Sequence, residues 1–389
     1  MRVLIAGLGE HKEFGLRSLR DAGHWVGVLE EPGRAPRDHV DWWAPAAYRD
    51  VDSVVAAARR GGPWDALVCW EEVAIDVAHE AARRLALPGP RMPAGRFRDK
   101  AVMAERIRQA GLPSPRLGTA QSLERARELA GGHDTLVVKP ADYGGSGGVR
   151  IVRGPADFDD AVRVALELSF SGRTVIDRFL PGPEYSVESV TWAPGDTQVL
   201  AVVENRTTPP PFCAETGQRV PARLPDADRD RLAAEAVRML DTLGMECGVS
   251  HSEFKLTPGG PVLLEVAGRP AGDQIPRLVD LVTGWNIYVA EVAAVAGTRP
   301  RPAAPAAEAA AVHFFTGDGG PVAYRPIDVA EASAPPLRDT LFELRFWLAP
   351  DAPLRPPQDV DDRAGYAILA GTATDVDAAG AALATRQRQ

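Results

Sequence analysis

The stretch VVKPADYGGSGGV, residues 137–149, joins a β-branched run that ends in a lysine to a glycine-rich loop. Lys139 closes the run, and the loop carries glycines on both sides of a serine: Gly144, Gly145, Ser146, Gly147 and Gly148. Backbone N–H groups of such a loop can approach phosphate oxygens closely, and a neighbouring ammonium offsets the phosphate charge. The loop is not a Walker loop, because no Gly-Lys-Ser/Thr follows. Taken alone, the pattern fits a phosphate-binding loop, and a hairpin tip with a surface lysine stays open.

Two glutamates stand on neighbouring predicted strands, HSEFKL (251–256) and PVLLEV (261–266), which the short TPGG turn connects. In a hairpin of this kind, Glu253 and Glu265 face one another across the strands. Mg²⁺ takes one or two protein carboxylates while phosphates and water complete its shell. Arg269 follows Glu265 closely in the chain, where a guanidinium can hold a transferring phosphoryl group or an oxyanion.

A third segment, VIDRFLPGPEYSVE (175–188), combines a predicted strand, a Pro-Gly turn and Glu184. The backbone from Asp177 to Leu180 can read an adenine edge through N–H and C=O bonds. The carboxylate of Glu184 can accept hydrogen bonds from ribose hydroxyls. An ordinary β-hairpin explains this segment equally well.

Outside these segments, the chain divides into an α/β part and an α+β part. The first hundred residues alternate apolar strand-like runs with amphipathic helix-like runs, which indicates βαβ units around a parallel sheet. Gly7 and Gly9 follow the first strand, but Lys12 stands where a dinucleotide fingerprint has its third glycine, so an ordinary turn is favoured. After LPGP (87–90), helices alternate with strands that suit antiparallel pairing.

Three further segments complete the secondary-structure prediction. TTPPPFCAETG (207–217) is predicted to be a loop, and a long helix is predicted over residues 222–243. The Pro- and Ala-rich stretch 299–311 resembles a linker or an edge before a final α/β tail.

Composition narrows the function. With 389 residues, 45% of them hydrophobic and 25% charged, the chain is long enough for two or three packed modules. No apolar run is long enough for a membrane span, and no secretory leader precedes the first strand, so a cytoplasmic protein is expected. The three cysteines are far apart and suggest neither a zinc site nor a disulfide framework. A net charge of −9 argues against nucleic-acid binding.

Taken in chain order, five segments resemble the successive signatures of the ATP-grasp superfamily. They are RDKAVMAERIRQAGLPSPR (98–116), VVKPADYGGSGGV, VIDRFLPGPEYSVE, HSEFKL and LLEVAGRPAGDQIPRLVDLVTG (263–284). The resemblance covers nearly the whole chain. It implies an ATP-grasp fold of mixed α/β and α+β class, with an N-terminal pre-grasp parallel sheet, a lid subdomain and a larger antiparallel sheet, and with ATP clamped between the last two.

The resemblance also implies domain boundaries. The pre-grasp domain is expected at residues 1–97 and the ATP-grasp domain at 98–298, with the lid at about 113–180. Residues 299–389 are expected to form a C-terminal α/β extension packed on the ATP-grasp domain.

The resemblance also implies a role for each residue that matches a position of the family's site. Lys100 and Lys139 match the lysines that contact nucleotide phosphates, and Gly144 to Gly148 match the lid loop. The residues that match the adenine and ribose contacts are Asp177, Phe179, Leu180 and Glu184. Glu253 and Glu265 match the Mg²⁺ ligands. Arg269 matches the arginine that stabilises the acyl phosphate and the tetrahedral intermediate. The family more often has glutamate where Asp177 stands, and many relatives have asparagine where Ala267 stands.

Within the superfamily, the loop TTPPPFCAETGQRVPARLP (207–225) resembles that of the amino-acid ligases that make dipeptides and of the carnosine synthases. The resemblance implies that Glu215 lies beside the acceptor site and can meet an α-ammonium group. His251 shares a strand face with Glu253, as either a substrate contact or a supporting hydrogen-bond partner. Gly272 and Asp273 complete the expected substrate residues.

The expected enzyme joins a carboxylate to an amine at the cost of ATP, through an acyl phosphate, with amino acids expected as both substrates. Its cofactor is Mg²⁺, with two ions expected or Mn²⁺ in their place, and homodimers are common among relatives. Two alternatives stay open. One is a purine-pathway or carboxylase-like enzyme that uses formate or bicarbonate, and the other is a nucleotide-binding protein without catalysis.

Overall fold

Three β-sheets organise the chain in the computed structural model, which describes residues 1–9, 12–34, 38–317, 326–349, 352 and 354–386. The N-terminal sheet has four parallel strands in the order β3-β2-β1-β4. Its elements are β1 (Arg2–Ala6), α1 (Glu13–Asp21), β2 (Trp25–Glu30), β3 (Trp42–Pro45), α2 (Val51–Gly61), β4 (Ala66–Val68) and α3 (Ile75–Leu85). The predicted βαβ alternation is confirmed. The short edge strand β3, which ends in a proline, was not predicted.

A second sheet, here called the lid sheet, has four antiparallel strands in the order β5-β8-β6-β7. Helix α4 (Lys100–Gln109) precedes it, and Asp99 caps this helix by accepting from the N–H groups of Ala101 and Val102. The lid sheet and its helices comprise β5 (Arg116–Ala120), α5 (Leu123–Ala130), β6 (Thr135–Pro140), β7 (Arg150–Arg153), α6 (Pro155–Leu168) and β8 (Thr174–Arg178). The glycine loop is the connection between β6 and β7.

The large sheet has eight strands in the order β13-β12-β9-β10-β11-β14-β16-β15, and every neighbouring pair is antiparallel. Its strands are β9 (Glu184–Ala193), β10 (Asp196–Thr207), β11 (Glu215–Val220), β12 (Gly248–Thr257), β13 (Gly260–Ala267), β14 (Ala309–Phe315), β15 (Leu341–Phe346) and β16 (Gly365–Gly371). The accompanying helices are α7 (Asp226–Leu243), α8 (Ile275–Thr283), α9 (Ile287–Val295), α10 (Val329–Ala332) and α11 (Ala373–Arg386).

Two sequence predictions need correction in this sheet. The segment predicted to be a loop over residues 207–217 contains the start of β11, because β11 pairs on both sides, with β10 and with β14. The helix predicted from residue 222 begins instead at Asp226, directly after Pro225. Tertiary pairing and a proline thus set the boundaries that local composition left undefined.

The Ala-rich end of the stretch predicted to be a linker or an edge is a buried inner strand. Strand β14 begins at Ala309 and pairs with β11 and β16. Every residue of β14 is buried, and helices α8 and α11 pack on it. Small side chains at its start allow this close approach. The last part of the chain therefore continues the large sheet, and the division of the chain at residues 97 and 298 stays a prediction.

Helix α9 joins the N-terminal sheet to the large sheet. All but one of its residues are buried, since it packs on β4 from one sheet and on β9 and β12 from the other. Tyr288 of α9 lies against Trp70, with ring centroids 4.4 Å apart. One continuous core therefore spans the two sheets.

Within the described part of the chain, no single helix is long and apolar enough to cross a membrane. The consecutive helices α8 and α9 reach that length and apolarity only as a pair, and they are bent by 88° relative to each other.

Glu291 of α9 is a fully buried acid in this shared core. Its Oε2 accepts from the indole N–H of Trp70 at 2.9 Å, while its Oε1 lacks a hydrogen-bond partner among the described residues. Burial raises the pKa of Glu291 to about 8, against the opposing effects of Trp70 and Lys12. The folded protein therefore holds a proton on Glu291 at neutral pH.

We expect this proton to make stability depend on pH. Because the pKa is higher in the folded state than the ordinary value of 4.5, the folded state binds more protons between pH 4.5 and about 8. The contribution of Glu291 to the free energy of unfolding is complete below pH 4.5 and declines as pH rises to about 8. Glu291→Gln keeps an acceptor for Trp70 and removes the titration. The thermal midpoint of the variant minus that of the wild type should therefore rise between pH 5 and pH 8, on the order of 5 °C or more.

The matched control is Glu124→Gln, at an exposed glutamate of α5. It should leave the difference in midpoint flat over the same pH range. A flat difference for Glu291→Gln as well would show that Glu291 is ionised in the folded protein.

Candidate active site

A cavity of about 280 Å³ lies between the lid sheet and the large sheet, with loops of the N-terminal sheet and of the C-terminal part at its rim. Every residue predicted for the site lines this cavity apart from Gly147 and Gly148. Residues that were not predicted also line it: Glu72, Tyr143, Asn205, Gln218, Lys255 and Val360 among them. The fold thus brings segments from almost the whole length of the chain to one place.

The opposed glutamates lie on the hairpin of β12 and β13. Glu253 and Glu265 are direct cross-strand partners, as the spacing around the TPGG turn predicted. Burial raises the pKa of Glu265, and the charge of Glu253 raises it further, whereas Lys100 lowers it. The Lys100 ammonium lies 3.2 Å from Glu265 Oε2. Two partly buried carboxylates on cross-strand partners favour a cation between them.

His251 supports this pair from the same strand face. Its Nε2 lies 3.0 Å from Glu253 Oε1, and its Nδ1 lies 2.7 Å from Glu188 Oε1. Burial alone lowers the pKa of His251, but Glu188 and Glu253 outweigh burial and raise it well above the ordinary value. The imidazolium in turn lowers the pKa of Glu253, although burial raises it. His251 therefore orients Glu253 through a hydrogen bond to its carboxylate.

Lys139 and Asp177 form a second charged group beneath the cavity. The Lys139 ammonium lies 3.3 Å from Asp177 Oδ2, and Arg116 also pairs with the Asp177 carboxylate. Although burial raises the pKa of Asp177, Arg116 and Lys139 outweigh burial and lower it. The carboxylate of Asp177 thus pairs with two cations. The predicted adenine contact at this residue is therefore expected from its backbone N–H and C=O groups.

The glycine loop borders the cavity with its first half. Gly144, Gly145 and Ser146 line it, whereas Gly147 and Gly148 shape the turn behind them. Gly148 has a φ of +71°, and a Cβ there would lie 2.8 Å from Leu168 Cδ1. A side chain at this position would therefore distort the loop.

The predicted nucleotide end of the cavity is mostly apolar. Five side chains, Val137, Ile151, Phe179, Leu180 and Leu264, line it there. Glu184 stands at the same end with its carboxylate 3.3 Å from the Lys255 ammonium. An apolar slot bordered by one carboxylate fits a purine and its ribose.

Arg269 projects from the loop after β13 and pairs with Glu72. It also donates to the carbonyl of Pro270 at 2.8 Å. Glu72 follows β4, and the carboxyl end of a parallel strand is where α/β sheets place ligand-binding side chains. That rule could have identified Glu72 from the sequence, where it was missed.

Lys12 is a second missed residue at the same edge of the N-terminal sheet. It is 7% exposed, and its ammonium donates to the carbonyl of Ala271 at 3.0 Å. Burial, reinforced by Arg269, lowers the pKa of Lys12 to about 8. Lys12 thereby ties the N-terminal sheet to the loop that carries Arg269.

The far wall of the cavity contains Glu215 and Asp273, which share one guanidinium. Arg363 donates to Asp273 Oδ1 at 2.6 Å and lies 3.3 Å from Glu215 Oε2. Gln218 donates to Asp273 at 2.8 Å, and the Ser146 hydroxyl donates to Glu215 at 3.1 Å. Burial raises the pKa of Glu215 to about 8, against the opposing charge of Arg363. Arg363 had no local sequence signal, because it reaches the site from the C-terminal part of the chain.

No group of three or more His, Cys, Asp and Glu side chains among the residues that the structure describes has the geometry of a metal site. The opposed pair Glu253 and Glu265 offers two carboxylates, which fits a Mg²⁺ ion that takes its other ligands from phosphates and water. Two carboxylates from the described residues are too few for a strong site without nucleotide.

Comparison with known proteins agrees with this fold. Residues 133–277 match the family model described as the ATP-grasp domain. The structure resembles that of an L-amino acid ligase from Bacillus licheniformis, with a TM-score of 0.80 and 21% identity over 99% of this chain and 97% of that one. The chain therefore carries an ATP-grasp domain and has the ATP-grasp fold, and the resemblance seen in its sequence is confirmed.

Among curated proteins, an uncharacterized protein of Sinorhizobium fredii is 26% identical over 74% of this chain and 59% of its own length. The arginine-specific carbamoyl phosphate synthase large chain of Oryza sativa subsp. japonica is 27% identical over 67% of this chain and 23% of its own length. Carnosine synthase 1 of Gallus gallus is 29% identical over 36% of this chain and 15% of its own length. The chain thus spans less than two thirds of these relatives.

The opposed pair of glutamates generates a prediction about Mn²⁺, the ion expected as the alternative to Mg²⁺, which is visible by electron paramagnetic resonance. Because the opposed pair supplies only two carboxylates, we expect weak Mn²⁺ binding to the free protein and at least tenfold tighter binding with ADP present. Glu265→Gln should weaken the nucleotide-dependent binding on the order of tenfold or more.

Glu124→Gln serves again as the control and should bind Mn²⁺ as the wild type does. Unchanged Mn²⁺ affinity for Glu265→Gln in the presence of ADP would remove Glu265 from the metal site.

Proposed function

We propose that this chain is an ATP-dependent ligase that activates a carboxylate as an acyl phosphate and joins it to an amine, with amino acids as both substrates. One observation carries the proposal. Two buried lysines and the opposed pair of glutamates share a cavity with Arg269 and with a wall of two carboxylates that have one guanidinium between them. The first group suits a nucleotide and its metal, and the second suits an ammonium.

The charge of the far wall distinguishes among the substrates. An ammonium placed beside Glu215 favours its ionised form, and the ionised wall then carries two carboxylate charges against the one charge of Arg363. Formate and bicarbonate are anions and gain nothing from it. An amino acid that presents its ammonium there is held by charge-assisted hydrogen bonds. The wall therefore favours an amine over the one-carbon alternative.

The reaction begins at the nucleotide end. Lys100 and Lys139 offset phosphate charge, and the apolar slot with Glu184 holds the nucleoside. Mg²⁺, held by Glu253 and Glu265, would neutralise charge on the phosphates during transfer. A carboxylate oxygen of the first substrate attacks the γ-phosphorus, ADP leaves, and an acyl phosphate results. The protein's part in this step is to position the two reactants.

In the second step, the amine nitrogen of the other substrate attacks the carbonyl carbon. The tetrahedral species carries an oxyanion, and Arg269 stabilises it with a charge-assisted hydrogen bond. Phosphate then leaves, the nitrogen loses its proton, and the amide forms. Glu72 holds the Arg269 side chain in the cavity and so limits the reorganisation that this step needs.

The test of the proposal is phosphate release from ATP and Mg²⁺ across all pairs of amino acids, with formate and bicarbonate as additional acids and with product masses recorded. Phosphate release matched by a new amide mass supports the proposal and names both substrates. Stimulation by formate or bicarbonate alone favours the one-carbon alternative. Tight ATP binding without turnover in any mixture favours a non-catalytic nucleotide-binding protein.

Arg269→Ala should retain binding of ADP, because Arg269 pairs with Glu72 and is not among the residues assigned to the nucleotide. Amide formation should fall on the order of a hundredfold or more, as is usual when a donor to an oxyanion is removed. ADP binding by calorimetry and amide formation by mass spectrometry separate the two effects.

Arg59→Ala, at an exposed arginine of α2, is the control and should keep full activity. A turnover rate in Arg269→Ala equal to that of the wild type would exclude the assigned role.

A further inference from the structure

The C-terminal part of the chain reaches the glycine loop at two points, at one through Glu215 of β11 and at the other directly. At the first, Ser146 of the loop donates its hydroxyl proton to Glu215, at 3.1 Å from Oε1 and 3.3 Å from Oε2. Glu215 is in turn held by Arg363. At the second, a Cβ built at Gly145 would lie 3.3 Å from Val360 Cγ2, so the side chain of Val360 closely borders the loop.

Arg363 is held on every side. Its Nε donates to the carbonyl of Glu215 at 3.1 Å, and its Nη1 donates to Asp273 at 2.6 Å. Its Nη2 lies between Asp273 at 3.2 Å and Glu215 at 3.3 Å, and its guanidinium carbon lies 3.9 Å from the ring centroid of Phe314. Only 3% of the side chain is exposed. A cation in this arrangement has one orientation, and it fixes the carboxylates around it.

Charge explains why Glu215 depends on Arg363. Glu215 and Asp273 lie in the same wall with 19% and 20% of their side chains exposed, and Asp273 raises the pKa of Glu215 whereas Arg363 lowers it. Without the guanidinium, Glu215 would lose the donors to its carbonyl and to its carboxyl group, and its side chain would turn away from its present position. The acceptor for Ser146 would move with it.

We propose that Arg363 is a positioning residue that holds Glu215 as a latch for the lid loop at Ser146, so that the amine-binding wall and the closed lid form one unit. This inference rests on the proposed function for the role of the amine, whereas the latch itself involves only residues of this chain. The consequence for the reaction is protection of the acyl phosphate. A lid that opens early admits water, and the acyl phosphate is then hydrolysed to the acid and phosphate without amide formation.

The experiment is a double-mutant cycle in the full-length protein, read by amide hydrogen exchange of residues 141–149. Ser146→Gly removes the hydroxyl and suits the positive φ of 59° at this position, so it introduces no backbone strain. Arg363→Met keeps an apolar stem on Phe314 and removes the charge. Each variant should accelerate exchange in the loop on the order of fivefold, as one lost hydrogen bond predicts.

The double variant decides whether the two residues act through one chain of contacts. If they do, Ser146→Gly combined with Arg363→Met should exchange no faster than either variant alone. Arg363→Lys retains a cation and should lie between Arg363→Met and the wild type. Additive effects in the double variant, or an unchanged loop in Arg363→Met, overturn the proposal. Arg345→Met, at an exposed arginine of β15, is the control and should leave the loop unchanged.

Two further arms separate this inference from the proposed function. Amide hydrogen exchange is measured without nucleotide and with Mg-ADP. The measurement without nucleotide tests the contact of Ser146 with Glu215 even if the protein proves not to be a ligase. Where the amino-acid matrix has identified substrates, phosphate released per amide formed should rise several-fold in Arg363→Met and recover in part in Arg363→Lys. An unchanged ratio would overturn the coupling of the latch to the reaction, while amide formation itself would leave the ligase proposal intact.

Discussion

Two carboxylates that face each other on the hairpin of β12 and β13 constrain the rest of the site. Glu253 and Glu265 are partly buried as direct cross-strand partners, and like charges in this position are unfavourable unless cations surround them. The structure surrounds them with cations from different parts of the chain. Lys100 comes from the start of α4, Lys139 from the end of β6, and His251 from the same strand as Glu253. Each of these carboxylates and cations therefore depends on the opposite charges around it.

The same balance extends to the N-terminal sheet. Glu72 after β4 pairs with Arg269, and Lys12 after β1 binds the loop that carries Arg269. Both residues lie at the carboxyl edge of the parallel sheet, and helix α9 holds that sheet against the large sheet through Trp70. The N-terminal sheet is therefore part of the machinery that orients Arg269, although no nucleotide contact is assigned to it.

The C-terminal strands have a comparable part at the opposite wall. By continuing the large sheet beyond β11, strands β14 and β16 bring Arg363 beneath Glu215 and Asp273. The cation that partly neutralises this wall thus lies nearly 150 positions from Glu215 in the chain, at a sequence separation of 148. Truncating the chain after α9 would leave Glu215 and Asp273 without their shared partner, so the final segment belongs to the site as much as to the fold.

The amino-acid sequence by itself determined the local parts of this protein. The alternation before residue 97 predicted the parallel sheet. The TPGG turn predicted that Glu253 faces Glu265, and the glycines predicted a loop after Lys139. The hairpin and the loop depend on hydrogen bonds and φ values within short segments, so neighbouring residues are sufficient to specify them, and the parallel sheet is indicated by the spacing of its apolar runs. Only the tertiary structure decided the rest. Strand β11 exists because β10 and β14 pair with it, and the Ala-rich β14 is an inner strand because α8 and α11 cover it. The tertiary structure also brings Glu72, Lys12 and Arg363 to the site. Their partners are distant in the chain, and each of these buried charges needs a partner.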